Sequence, residues 1–226
     1  MSGIGVVFDL DGVLVMSEHL WEEAWLDYAH RSGNDWSTDD TRRCQGMSVV
    51  EWGTYLADRA THDTQGAIDA VISHVAGAYD HGQVSLVDGA ADLVRAVAAR
   101  VPVALASSAP RRIIDTVMGA MGLGLWFGTT VSSSEVAAGK PSPDVYLEAI
   151  RRLGVQAAGS LAVEDSSNGI RSAAAAGLTV LAVPNPAYPV ASDAAAAADS
   201  IHTSLDGVGR RLMTLLDRAM PPEGRP

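Results

Sequence analysis

Two acidic residues, Asp9 and Asp11, follow the short apolar run Ile4–Phe8 and precede Gly12. Runs of this kind are typical of strands that are buried on both faces of a parallel sheet. Ligands of open α/β sheets bind at the carboxyl ends of the strands, so these carboxylates would lie where chemistry can take place. Taken alone, the pair is more typical of an Asp-Gly turn with a solvated acid. Other segments of the chain favour a catalytic or binding role for the pair over a solvated turn.

Three later segments also place polar residues near the ends of apolar runs or the starts of helices. Ser107 and Ser108 follow a predicted strand and precede a helix, where hydroxyls are ready contacts for a phosphate. Either serine could also cap that helix. Lys140 precedes a further predicted helix, although an isolated lysine is usually a solvated surface charge. Glu164 and Asp165 form a second acidic pair at the end of another apolar run.

In order along the chain, these segments read Asp-x-Asp, Ser, Lys and Glu-Asp. The set resembles the haloacid dehalogenase (HAD) superfamily of phosphohydrolases. The most specific parts of the resemblance are Asp9–Leu14, Gly139–Pro141 and Glu164–Ser166, and the match spans the whole chain. The resemblance implies an α/β fold with a Rossmann-like core, a parallel sheet and an α-helical cap domain inserted after the first motif.

The positions of strands and helices agree with that organisation. Strand-like runs alternate with helical segments, which is typical of βαβ units. The predicted strands are Ile4–Phe8, Val101–Ala106, Thr129–Val131, Leu161–Val163 and Thr179–Val183. The predicted helices are Ala90–Ala99, a segment from Pro110 to Gly122, Asp144–Leu153, Asn168–Ala176, Asp193–Asp199 and Leu205–Met220. Asp88 and Ser142 are suitable caps for two of them.

The stretch from about Met16 to Ser85 interrupts this alternation. Its apolar spacing is helical, as at Trp21 and Trp25, and it shows no strand pattern. We therefore expect a core domain of residues 1–15 and 86–226 and a helical cap domain of residues 16–85.

The chemistry that the resemblance implies can be argued for each residue. Phosphate-monoester hydrolysis is among the slowest uncatalysed reactions, so the site must position and neutralise its substrate well. Asp9 would attack phosphorus and form an aspartyl-phosphate. Asp11 would protonate the leaving alkoxide and then accept a proton from the attacking water. Lys140 and Ser107 complete the catalytic set, and both would bind the substrate phosphate together with Ser108.

A metal is needed because several carboxylates and a phosphate would otherwise repel one another. Mg²⁺ prefers oxygen ligands and keeps several waters beside one or two carboxylates. The family pattern assigns Asp9, the main-chain carbonyl of Asp11 and Asp165 as ligands, with Glu164 as a direct or water-mediated contact. Cys44 is the only cysteine, which excludes a Cys-rich zinc site and is typical of a small buried side chain.

Asp11 favours phosphoryl transfer over dehalogenation, which uses neither a second Asp nor a metal. A β-phosphoglucomutase-like sugar phosphomutase stays open as the alternative. That enzyme has a basic and His-containing set in its cap for a second phosphate, and the corresponding residues here are the apolar Trp21, Val49 and Val75. A non-catalytic receiver domain also holds a phosphorylated Asp near Mg²⁺, but it needs neither a general acid nor a cap.

The chain is most similar in its details to the hexitol and 2-deoxyglucose-6-phosphate phosphatase group. The segments that carry this similarity are Ser17–Trp21, Leu105–Pro110 and Glu164–Ile170. Met16 stands where that group usually has Asp. The prediction is a Mg²⁺-dependent phosphatase that acts on small phosphorylated metabolites such as sugar or sugar-alcohol phosphates. The cap residues that we expect to contact the sugar are Glu18, His19, Trp21, Gly46 and Met47.

Composition limits the class of partner. The 226 residues carry a net charge of −11, and 47% of them are hydrophobic, which is typical of a packed globular protein. The excess of acid argues against nucleic acid or an anionic membrane surface as a partner, because both bind through Lys and Arg. The N-terminal segment lacks the basic start of a signal peptide. We expect a cytoplasmic protein that is a monomer and binds a small phosphorylated molecule.

Overall fold

The computed structural model describes residues 3–45, 47–59, 62–186 and 188–219. The strands in these ranges are β1 (Val6–Phe8), β2 (Val103–Ser107), β3 (Thr129–Ser132), β4 (Leu161–Glu164), β5 (Thr179–Ala182) and β6 (Ser200–Ile201). They form one parallel sheet in the order β3-β2-β1-β4-β5-β6. The first five strands lie where the sequence predicts them. β6 was not predicted, because two residues are too few to show a hydrophobic pattern.

The helices in the described ranges account for most of the remaining chain. They are α1 (Glu18–Arg31), α2 (Thr38–Cys44), α3 (Val49–Arg59), α4 (Thr64–Asp80), α5 (Ala90–Ala98), α6 (Arg111–Ala120), α7 (Asp144–Leu153), α8 (Ser167–Ala175), α9 (Ser192–Ala197) and α10 (Leu205–Ala219). Met220, the predicted end of the last helix, lies outside the described residues. None of these helices combines the length and the apolar character that crossing a membrane requires.

Both faces of the sheet are covered by helices, so the fold is an α/β Rossmann-like core. Successive strand residues point to opposite faces. Val7 packs in the cluster that includes α7, α8 and α9, whereas Phe8 packs in the cluster that includes α5, α6 and α10. β1 lies between β2 and β4, with Val7 opposite Ala104 and Ala162. Burial on both faces explains why the central strands are almost wholly apolar.

Two of the predicted helix caps were wrong. Gly89 occupies the N-cap of α5, and its φ of 80° is a conformation that favours glycine, so Asp88 lies one residue too early to cap. Pro143 occupies the N-cap of α7. The Ser142 hydroxyl instead donates to Asp144 Oδ1 at 2.9 Å.

α1–α4 form a helical cap that is inserted between β1 and α5. The chain enters and leaves the cap at adjacent points. Val15 and Leu86 form an antiparallel bridge there, and the Met16 amide donates to the Ser85 carbonyl at 3.0 Å. No strand occurs in the described residues between these two points, in agreement with the helical pattern of the sequence.

Aromatic rings hold the cap helices together. The ring centroids of Trp21, Trp25 and Trp52 lie 6.2 Å from one another, so the three rings form a closed triangle. Trp36 extends this cluster, with its centroid 6.5 Å from Trp25 and 6.0 Å from Tyr55. Tilted and edge-on pairs at such separations stabilise a fold beyond the area that they bury.

A buried carboxylate closes the start of α2. Asp40 accepts hydrogen bonds from the Ser37 amide at 2.8 Å and the Ser37 hydroxyl at 2.6 Å, which completes a capping box. It also accepts a hydrogen bond from the Tyr55 hydroxyl and pairs with Arg59 at 3.0 Å. Burial opposes ionisation of Asp40, but the bonds from Ser37 and Tyr55 outweigh it and lower the pKa of Asp40 to about 2.

We predict that Asp40→Asn destabilises the protein by about 2 kcal/mol at pH 7. A pKa that is lower in the folded state adds stability that is present above the unfolded value near 4 and is lost as the pH falls towards 2. The difference in unfolding free energy from wild type should therefore shrink between pH 5 and pH 3, as denaturant titrations would show. The control is Asp39→Asn, because the Asp39 side chain is 88% exposed. An equal loss in both variants would contradict the prediction.

Candidate active site

The candidate site is a cavity of about 450 Å³ that is lined by the carboxyl edge of the sheet on one side and by the cap on the other. Asp9 follows β1 directly, and Asp165 follows β4 directly. Asp9, Asp11, Lys140 and Asp165 all line the cavity. The adjacent positions of β1 and β4 in the sheet thus bring together acidic pairs that are more than 150 residues apart in sequence.

Lys140 connects the two acidic pairs. Its ammonium donates to Asp9 Oδ1 at 2.5 Å and to Glu164 Oε1 at 2.6 Å. The three residues are buried: Lys140 is 3% exposed, Asp9 6% and Glu164 0%. Because a buried charge must be paired, each of these residues makes the burial of the others possible.

The pKa values of the site reflect the burial of its charged groups and their close approach to one another. Burial is the main cause that raises the pKa of Asp9 to about 8, with attraction by Lys140 opposing it and repulsion from Glu164 adding to it. Burial, then repulsion from Glu164 and Asp9, raises the pKa of Asp165 well above its usual value. Burial alone would lower the pKa of Lys140, but Asp9 and Glu164 raise it instead. A further cation beside the carboxylates would therefore stabilise their ionised forms.

The donor atoms at this point fit Mg²⁺. Carboxylate oxygens of Asp9, Glu164 and Asp165 lie within 4.8 Å of one another. Gly12 leaves room for this group, because a Cβ on Gly12 would lie 2.1 Å from Asp165 Oδ2. A set of oxygen donors is what Mg²⁺ selects, and the set contains no sulfur or nitrogen that would favour zinc.

Asp11 is held from the cap side. Its Oδ1 accepts a hydrogen bond from the Ser17 hydroxyl and a second from Trp21 Nε1 at 3.0 Å. Burial raises the pKa of Asp11, and these two hydrogen bonds oppose the rise. Trp21 was expected to contact the sugar. It does line the cavity, and its indole also orients the predicted general acid, which the sequence did not indicate.

The two serines after β2 differ in their positions. Ser107 is fully buried, and its hydroxyl accepts a hydrogen bond from the Ala109 amide at 3.0 Å. Ser107 is not among the residues that line the cavity, so the structure does not bring its hydroxyl to the place where a catalytic contact was predicted. Ser108 does line the cavity, and within the described residues its hydroxyl oxygen has no hydrogen-bond partner. Successive side chains at a strand end point in opposite directions, which separates the two hydroxyls.

Of the other predicted sugar contacts, Glu18 and Met47 line the cavity. Asn185, in the loop after β5, donates from Nδ2 to Glu18 Oε1 at 2.9 Å and so holds this carboxylate from the core side. His19 is exposed and is not among the residues that line the cavity, because it follows Glu18 on α1 and adjacent helix residues face different directions. Its contact with a sugar stays a prediction. Gly46 lies outside the described residues.

Sequence reasoning missed three cations that line the cavity, and one of them is Arg171 of α8. Arg42 and Arg43, at the end of α2, line it, whereas Val49 and Val75 do not. The three apolar positions that were compared with the phosphomutase therefore do not describe all the charges that the cap brings to the cavity. The sequence does not mark Arg42 and Arg43 as ligand contacts, because basic residues are common in the last turn of a helix, where they interact favourably with its dipole.

We predict that Gly12→Ala lowers kcat/KM by at least about a hundredfold, because the added methyl group would push the Asp165 carboxylate out of place. Gly12 also has a φ of 76°, so part of the effect is backbone strain of about 1 kcal/mol. Gly82→Ala is the matched control: Gly82 has a φ of 69° but nothing within 4 Å of the added Cβ. Unfolding curves should show similar strain in both variants, while steady-state kinetics should show the large loss only at Gly12. A similar loss of kcat/KM in both variants would contradict the prediction.

Comparison with known proteins agrees with this geometry. A profile of haloacid dehalogenase-like hydrolases matches residues 5–177. Protein CbbY of Rhodobacter capsulatus is 33% identical over 194 residues, which are 80% of this chain and 85% of that protein. Hexitol phosphatase B of Escherichia coli K12 is 29% identical over 195 residues, covering 81% of this chain and 84% of the relative.

A solved structure shows the same fold. The crystal structure of CbbY from Rhodobacter sphaeroides in complex with phosphate superimposes with a TM-score of 0.79 at 25% identity, covering 91% of this chain and 96% of that one. The fold, the ordered motifs and the family match lead to one conclusion: the chain belongs to the haloacid dehalogenase-like hydrolases.

Proposed function

We propose that the chain is a Mg²⁺-dependent phosphatase that hydrolyses small phosphorylated metabolites through an aspartyl-phosphate at Asp9. The observation that carries the proposal is the position of Asp9 at the cavity wall, with Lys140 on its Oδ1 and Asp11 close by. Hexitol phosphatase B and CbbY, which the chain resembles over most of its length, support a phosphorylated sugar or sugar alcohol as the substrate.

Each residue has a defined task in this mechanism. Asp9 attacks phosphorus and displaces the alkoxide, and water then hydrolyses the aspartyl-phosphate, which releases inorganic phosphate and restores the Asp9 carboxylate. Asp11 donates its proton to the leaving oxygen and takes one from the water in the second step. Its raised pKa favours the protonated form that the first step requires. Lys140 and Ser108 offer donors to the phosphate oxygens.

Asp9, Asp165 and the main-chain carbonyl of Asp11 would hold the metal, with Glu164 at the edge of the group. When bound, Mg²⁺ supplies positive charge that neutralises the carboxylates and the phosphate oxygens. The residues themselves account for the rest of the site: Lys140 keeps Asp9 oriented, and Trp21 and Ser17 keep Asp11 oriented.

The cap would bind the sugar or sugar-alcohol part of the substrate, while the core binds its phosphate group. The proposed division is a cap of residues 16–85 and a core of residues 1–15 and 86–226, with the substrate between them. A cavity of about 450 Å³ is within the usual range for small-molecule sites. Glu18 offers an acceptor to sugar hydroxyls, and Trp21 offers an apolar surface.

One observation favours the alternative, a β-phosphoglucomutase-like phosphomutase. Arg42 and Arg43 line the cavity on the cap side, where cations could hold a second phosphate. A mutase would need a sugar bisphosphate to start and would release little inorganic phosphate. Measuring phosphate release and product isomers from the same sugar phosphate, with and without a bisphosphate, separates the two functions.

The phosphatase is tested by phosphate release from a panel of sugar, sugar-alcohol and other metabolite phosphates. We predict that Asp9→Asn lowers kcat by at least about a thousandfold, because the variant has no nucleophilic carboxylate. Asp92→Asn is the control, since Asp92 lies on α5 with a side chain that is 78% exposed. Retained turnover in a folded Asp9→Asn protein would refute the aspartyl-phosphate mechanism.

The metal is tested separately. Treatment with EDTA should abolish turnover, and Mg²⁺ should restore it, because the crowded carboxylates need a cation to bind an anionic substrate. Calorimetry with wild type and Asp165→Asn should show Mg²⁺ binding that is at least tenfold weaker in the variant, at about 1.4 kcal/mol per tenfold. Full activity after exhaustive chelation would argue against the metal.

A further inference from the structure

Tyr146 contacts the charged centre of the site, although its position in the sequence does not distinguish it from other core residues. It is a fully buried residue of α7. Its hydroxyl donates to Glu164 Oε1 at 2.8 Å, and the Lys140 ammonium lies 5.1 Å from the centroid of its ring. One side chain thus holds both members of the Lys140–Glu164 ion pair, by a hydrogen bond to the anion and a cation–π contact to the cation.

Glu164 is fixed on both of its oxygens. Oε1 accepts from Lys140 and Tyr146. Oε2 accepts from the Asp165 amide at 3.0 Å and from the amide and hydroxyl of Ser166, each at 3.1 Å. A carboxylate offers roughly four lone-pair sites, so these donors occupy it fully. The structure therefore gives Glu164 the role of an anchor for Lys140 and for the loop after β4.

Lys140 has one donor to spare. An ammonium group carries three N–H donors, and within the described residues two of them are used, on Asp9 and Glu164. The two short contacts and the Tyr146 ring leave the third N–H a single direction. Lys140 lines the cavity, so this N–H is the donor that it can offer to a substrate oxygen.

We propose that Tyr146 is a positioning residue, which fixes Glu164 Oε1 and thereby the direction in which the remaining Lys140 N–H meets the substrate phosphate. This inference rests on the proposed phosphatase function of the same site. Without the hydroxyl, Oε1 keeps Lys140 as its only donor, and the carboxylate is free to turn about the bonds that Oε2 makes with the loop. The ammonium would follow it, and its remaining N–H would lose its alignment.

The test is Tyr146→Phe, which keeps the ring beneath Lys140 and removes only the hydroxyl. Calorimetry with inorganic phosphate in the presence of Mg²⁺ should give a dissociation constant about tenfold higher than in wild type, and KM for the best sugar phosphate should rise by a similar factor. The affinity for Mg²⁺ in the absence of phosphate should stay within about twofold, because the Tyr146 hydroxyl donates to neither Asp9 nor Asp165, the carboxylates that would hold the metal. Tyr146→Leu, which also removes the ring, should weaken phosphate binding further.

The matched control is Tyr55→Phe, which likewise removes a hydroxyl that donates to a carboxylate, that of Asp40 on the cap. It should lower the melting temperature but leave the affinities for phosphate and Mg²⁺ at wild-type values. Wild-type phosphate affinity in Tyr146→Phe would overturn the inference. A fall in Mg²⁺ affinity as large as the fall in phosphate affinity would also overturn it, since it would show a general collapse of the acidic group.

The result can be separated from that of the proposed function. If wild type releases no phosphate from any substrate, the proposed function fails, while the binding of inorganic phosphate still reports on the alignment of Lys140. If wild type is active and the Tyr146→Phe protein binds inorganic phosphate normally, only the positioning role is overturned.

Discussion

The site depends on the burial of one ammonium group between two carboxylates. Placing a charge in the protein interior is costly unless its partners are close and well oriented, and removing one partner leaves the others uncompensated. The requirement is met by three buried residues: Lys140, Asp9 and Glu164. The Lys140 ammonium donates a hydrogen bond to each of the two carboxylates. These two hydrogen bonds connect the loop before α7 to the carboxyl ends of β1 and β4.

Much of the fold could be predicted from the sequence, because its signals are local. Apolar runs at Ile4–Phe8 and Leu161–Val163 mark strands that are buried on both faces, and Gly154 marks the end of a helix. The strand β6 and the caps of α5 and α7 were missed. Two residues carry no pattern, and a cap is chosen by the geometry of the turn as much as by the residue that could fill it.

The candidate site was predicted less completely, for a physical reason. Residues that act by charge, such as Asp9 and Lys140, stand out by type and by spacing. Residues that act by packing or by one hydrogen bond do not. Tyr146 reads as an ordinary core residue, and the hydrogen bond of Trp21 to Asp11 depends on how α1 lies over β1. Ser107 and Ser108 are identical in type, so only the direction of the side chain at the strand end could separate them.

The hydrogen bond between Trp21 and Asp11 joins a cap helix to a core residue. The chain itself passes between core and cap at the bridge of Val15 and Leu86. Any displacement of α1 away from the core breaks this bond and leaves the Asp11 carboxylate with one orienting donor fewer. The orientation of Asp11, the proposed general acid, is therefore coupled to the position of α1. A ligand that holds α1 against the core would then also favour the oriented Asp11 carboxylate.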